Sequence, residues 1–127
     1  MTLIALIAAT LAGLLHVFIF LLESFRWQED NTRRVFGTTP EQAETTKQLA
    51  YNQGFYNLFL ALTAFAGVAT FAWPTVSTTL LIVSLGSMLG AAVVLVTNDR
   101  SKLRAALIQG GLPLVGLLAL AIRIATG

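Results

Sequence analysis

The sequence contains no cysteine, a single histidine and only three prolines. Without thiols it can form no disulfide, thiolate nucleophile or cysteine-ligated zinc site, and its redox compartment cannot be read. Charge is also scarce. Asp, Glu, Lys and Arg make up 11% of the 127 residues, where a soluble domain carries about 25%. No basic stripe with interleaved aromatics is present, which excludes a nucleic-acid surface. No nucleophile motif, glycine-rich phosphate loop or haem motif occurs, and one histidine with scattered acids is thin material for a metal centre. Neither a cofactor nor a metal is expected.

Apolar residues fill the space that charge leaves. They are 56% of the chain and come in blocks long enough to cross a bilayer, which takes about 20 residues. A length of 127 residues suggests one domain. The spans are expected at Thr2–Leu22, Leu49–Trp73, Val76–Thr97 and Ala105–Ile122. The first lacks the basic leader of a signal peptide and is longer than a bare apolar core of one, so it reads as a helix. No formal charge occurs between Lys47 and Asp99. Pro74 is the natural break in that run, with Trp73 as an interfacial anchor. The expected fold is all-α: a membrane four-helix bundle within residues 1–127.

Basic residues set the direction. Arg26, Arg33, Arg34 and Lys47 lie between the first two spans, and Arg100, Lys102 and Arg104 between the last two. Only Arg123 lies at the other end. Positive charge marks the cytoplasmic side, so both termini are expected outside, in a multi-pass protein of the plasma (inner) membrane. The asymmetry argues against dual topology. The seven basic residues could hold an anionic headgroup, although orienting the chain is reason enough for them.

The first loop contains a helix start. Thr39 is an N-cap, Pro40 takes the first helical position, Glu41 lies in the first turn, and Gln42 completes a capping box. One long second helix from Pro40 is expected, reaching into the cytoplasm, with Glu44 and Lys47 paired on its surface. "RRVFG" mixes cations with Val35 and Phe36, which suits the headgroup interface. Trp27, Arg26 and Arg33 read as interface anchors.

Polar residues inside the spans converge in depth. His16 and Glu23 are seven residues apart, about two helical turns, so they share a stripe on the first span. Asn57 lies about 12 Å inside the second span and Gln109 about 7 Å inside the fourth. Asn52, Gln53 and Tyr56 sit near the level of Glu23. Polar groups in hydrocarbon turn inward. His16 and Glu23 are therefore the candidate acid–base pair, and Asn52, Gln53, Tyr56, Asn57 and Gln109 the candidate ligand-binding groups. In the other half, Gly86 and Gly90 form a GxxxG pair expected to pack helices inside the bundle, with homo-oligomer contact as the competing use. Pro113 should kink the last span at Gln109 and free its carbonyl.

Three stretches, "HVFIFLLESFRW", "VFGTTPEQAETTKQLAYNQGFYNLFLA" and "QGGLPL", together resemble a family of small four-helix membrane proteins known only as a domain of unknown function. The resemblance implies a four-helix membrane fold and brings no activity with it.

Three functional readings remain open. The first is an enzyme acting on a lipid-soluble molecule, with His16 and Glu23 moving protons. Side chains two turns apart, however, need a bridging substrate or water. The second is a small proton-coupled transporter. The third is a binding or accessory module that holds a lipid or a partner helix. The same polar groups can also serve only to bond across helices and fix register, and Glu23 can pair with Arg26 at i+3.

Overall fold

The computed structural model describes residues 2–127. Among the described residues there are six α-helices, α1 (Thr2–Phe25), α2 (Asp30–Phe36), α3 (Pro40–Thr45), α4 (Lys47–Ala69), α5 (Pro74–Asn98) and α6 (Leu103–Thr126), with a 3-10 turn at Arg100–Lys102. No strand occurs among the described residues. The four long helices close a ring in which α1 packs on α4 and α6, and α5 packs on the same two. Three long helical segments, Thr2–Phe25, Pro74–Asn98 and Arg100–Thr126, are apolar enough to cross a membrane. The polar residues of α4 keep it out of that group.

Each long helix turns a stripe of small residues inward. On α1 the buried positions include Ala5, Ala9, Ala12, His16, Ile19 and Glu23. They alternate steps of four and three, the spacing of one helix face. On α4 the corresponding seam is Ala50, Gly54, Ala61, Ala64 and Gly67, with half-buried Asn57 in step between them. α5 supplies the bulk through Leu81, Leu85 and Met88. Large apolar side chains such as Leu3, Ile7, Phe18 and Leu107 point outward, the reverse of a water-soluble protein.

The two ends of the ring differ. Thr75, Thr78 and Arg123 line one cleft, so the α4–α5 turn and the C-terminus share an end. At the opposite end, Lys102 donates to the carbonyl of Phe36 and, at 3.4 Å, to that of Gly37. This ties the two basic loops together.

Several expectations need correction. The long second helix is interrupted at Thr46. The Thr46 hydroxyl donates to the Gln42 carbonyl at 2.6 Å and accepts from Trp27 Nε1 at 3.0 Å, a side-chain competitor for helix geometry. The capping box on Thr39 and Gln42 is formed as read. α4 stops at Ala69, four residues before Trp73, and Pro74 opens α5 as its first residue, where a missing N–H costs nothing. The segment containing "RRVF" is the helix α2, closed by Gly37 at φ +67°. Glu44 bonds Gln28 at 2.5 Å, and the ion pairs are Arg26–Glu29 and Arg33–Asp30. Gly86 and Gly90 pack against nothing. A Cβ on either would meet no atom within 4 Å, because both lie off the Leu81–Leu85–Met88 face. Close approach happens instead at Gly13, Gly54, Gly67, Gly110 and Gly116.

Candidate functional site

The α1 and α4 seams meet at their polar members. Asn57 Nδ2 donates to Glu23 Oε1 at 2.5 Å. Glu23 is 8% exposed, and Arg26, which could have competed for it, is turned away to Glu29 at 3.1 Å. The two backbones approach because Gly54 lies three residues before Asn57, against Phe20 and Ser24. The Ser24 hydroxyl closes the contact on the Tyr51 carbonyl at 2.8 Å.

Beside this bond lies a cavity of about 300 Å³. Glu23, Gln53, Asn57 and Gln109 line it, with Ala91 and Leu95 of α5 forming an apolar wall. Part of its lining comes from outside the long helices. Phe36 is the last residue of α2, Thr38 lies in the α2–α3 connection, Lys102 in the 3-10 turn, and Trp27 just beyond α1. Trp27 stacks on Phe36 with ring centroids 5.1 Å apart. Lys102 is held by the carbonyls at the C-terminal end of α2, where cations are favoured. Thr38 Oγ1, beside the cavity, is buried without a hydrogen-bond partner. Glu23 also lines a larger open cleft beside Arg26, Gln28, Lys47 and Tyr51. The carboxyl thus stands between the cavity and the exterior.

Four of the sequence-derived candidates are therefore brought to one cavity: Glu23, Gln53, Asn57 and Gln109. Three are not. His16 lies on the α1 seam at 2% exposure and outside the cavity lining. Its Nδ1 meets the Ala12 carbonyl at 2.8 Å. A carbonyl only accepts, so Nδ1 carries the proton and Nε2 is the free lone pair in a neutral ring. Asn52 and Tyr56 are exposed, with Tyr56 at 66%, and share an open face with Phe55 and Phe59. The reason is angular. Gln53 and Asn57 are four apart on one face, and Asn52 and Tyr56 are four apart on a face turned about 100° away. No cluster of three His, Asp or Glu residues occurs among the described residues.

Thr38, Lys102, Phe36 and Trp27 were missed as site residues. Their only sequence signal is indirect: a glycine able to close α2 at Gly37 and a lysine within a short loop.

In chemical terms the cavity offers one carboxyl, one ammonium and three amides against an apolar wall. It can receive the polar end of a small molecule and exchange a proton with it through Glu23.

These features define a class: an all-α protein with long apolar helices and one polar cavity near the end that carries the basic loops. Within it, the chain belongs to the family described as Protein of unknown function (DUF1304), whose profile matches residues 10–121. This agrees with the resemblance carried by the three motifs, and every cavity residue lies inside the matched range. No curated protein matches the chain, and no solved structure does.

Proposed function

We propose that this chain is a four-helix protein of the plasma membrane, with both termini outside and the basic loops in the cytoplasm. In this reading the cavity binds, and through Glu23 converts, a small lipid-soluble molecule. The observation that carries it is the Glu23–Asn57 bond at 2.5 Å in the wall of a cavity lined also by Lys102 and Gln109, beside the buried, unpartnered Thr38 hydroxyl. Buried polar groups are ordinarily satisfied, and a cavity of about 300 Å³ is at the lower end of ligand-pocket sizes. Outward-facing apolar residues and the basic loops gathered at one end support the membrane topology.

Glu23 is the acid–base group of this proposal. Asn57 orients its carboxyl, Gln53 and Gln109 hold the polar end of the bound molecule, and Lys102 stabilises negative charge at the loop end. The simplest conversion available to one carboxyl is an isomerisation. It takes a proton from one atom of the substrate and returns it to another, ending in its starting state. His16, about 10 Å deeper along α1, is reached only through a bridging molecule and takes a secondary place.

The test is extraction and mass spectrometry of small molecules that co-purify in mild detergent. Wild type is expected to retain a defined compound. Glu23→Gln should retain its unconverted form, and Lys102→Met should lose it. Identical extracts from all three proteins would end the proposal.

A further inference from the structure

A second cavity, of about 440 Å³, runs between α1 and α6 and is roofed by α2. Its long walls are apolar: Leu15, Phe18 and Leu22 on α1 and Ile108 on α6. Phe18 and Ile108 are 54% and 49% exposed, so the groove opens sideways, toward the surroundings of the helices. Its mouth is cationic. Arg34 from α2 and Arg104 from the start of α6 both line it, and no acidic residue does. Arg33, the neighbour of Arg34, is neutralised by Asp30, and Arg26 by Glu29. Arg34 and Arg104 have no ion-pair partner among the described residues. Two free guanidiniums over an apolar trough are complementary to a molecule with an anionic head and a hydrocarbon tail.

We propose that this groove holds one anionic phospholipid of the cytoplasmic leaflet. Its phosphate sits between Arg34 and Arg104, and one acyl chain lies along Leu15, Phe18 and Ile108. The phospholipid is favoured over a soluble anion because the trough beneath the charges is apolar and open to hydrocarbon. The inference rests on the membrane reading above and is independent of any chemistry at Glu23. Gln109, Phe36 and Ala105 line both this groove and the Glu23 cavity, so the bound lipid would form part of the wall that separates the cavity from the bilayer.

The experiment is native mass spectrometry of purified protein titrated with phosphatidylglycerol or phosphatidylcholine. Wild type is expected to retain one phosphatidylglycerol and to bind phosphatidylcholine far more weakly. A basic residue near an anionic lipid surface contributes about a fivefold gain, so Arg34→Gln with Arg104→Gln should weaken phosphatidylglycerol binding about 30-fold. Both side chains are exposed, so the fold should tolerate the change. Arg26→Gln with Lys47→Gln removes two positive charges from the same end but outside the groove, and should leave binding intact. Equal binding of the two lipids, an unaffected Arg34/Arg104 variant, or equal loss in the control pair would each overturn the proposal. Release of the protein from membranes by alkaline carbonate would instead overturn the membrane reading itself.

Discussion

Gly54→Ala would place a methyl group where α1 and α4 come closest. The new Cβ would lie 3.0 Å from the Phe20 carbonyl oxygen and from the Ser24 backbone nitrogen, and it would run into the Ser24 hydroxyl. The hydroxyl cannot swing away freely, because it holds the Tyr51 carbonyl at 2.8 Å. The other two atoms are backbone, so relief requires the helices to part. Overpacking of this kind costs about 1–3 kcal/mol, and loss of the hydrogen bond adds about 0.5–1.5 kcal/mol. The better helix propensity of alanine returns about 1 kcal/mol, leaving a net destabilisation of about 1–3 kcal/mol. Gly90→Ala is the internal control. Its Cβ meets nothing within 4 Å, so only the propensity gain remains and the variant should be stabilised by about 0.5–1 kcal/mol. Both are read by following helicity during SDS titration in mixed micelles. Because Asn57 lies one turn beyond Gly54, parting the helices should also weaken the Asn57–Glu23 bond and empty the cavity of any retained molecule. A neutral Gly54→Ala, or a Gly90→Ala more damaging than it, would refute the packing.

A double-mutant cycle on Glu23→Ala and Asn57→Ala should give a coupling of about 0.6–1.7 kcal/mol, as for other interhelical hydrogen bonds; coupling near zero would mean the bond is not formed. Cysteine at Ser101 should be labelled from the cytoplasm and cysteine at Thr75 from outside, and the opposite pattern would reverse the orientation. Gly37→Ala forces φ +67° on a residue with a Cβ and brings it to 3.2 Å from Lys102 Nζ. It should cost about 1–2 kcal/mol and loosen the roof of the cavity, seen as faster amide exchange at Thr38; unchanged exchange would count against the roof. The Ser101 hydroxyl and then its backbone N–H hold the Asp99 carboxyl below its usual range. The turn it caps is therefore supported above the ordinary value of 3.8 and loses that support as pH falls through the lower folded value. Asp99→Ala should remove this acid sensitivity from the mobility of a spin label at Ser101, and a label equally acid-sensitive in the variant would assign it elsewhere.

The long helices were legible because their apolar runs are long and nearly uncharged, and the convergence of Glu23, Asn57 and Gln109 on one cavity was legible because polar groups in apolar helices turn toward one another. Boundaries were less so. Pro74 was rightly taken as a discontinuity, yet it opens α5, since proline is accepted at a helix start as readily as it ends one. The break at Thr46 depends on the Trp27 indole reaching its hydroxyl from 19 residues away in sequence. No local propensity reports such a contact.

The two errors that matter most for the site share a cause. GxxxG spacing on α5 identifies a face of small residues, but not what stands opposite that face, and within this chain no described atom lies within 4 Å of a Cβ placed there. The glycine that brings polar groups together is Gly54, which has no partner at GxxxG spacing and shares its seam with Ala50, Ala61, Ala64 and Gly67. Likewise the polar arc on α4 was read as one surface, although only its Gln53–Asn57 edge reaches the cavity. Asn52, Gln53, Tyr56 and Asn57 spread over about 140° of arc, wider than the face of roughly 100° that a helix turns to its neighbours. Periodicity fixes which residues share a stripe, and the neighbouring backbone decides which stripe is used. At this site the decision falls to Gly54 and Ser24, which admit Asn57 to Glu23 and leave Asn52 and Tyr56 outside.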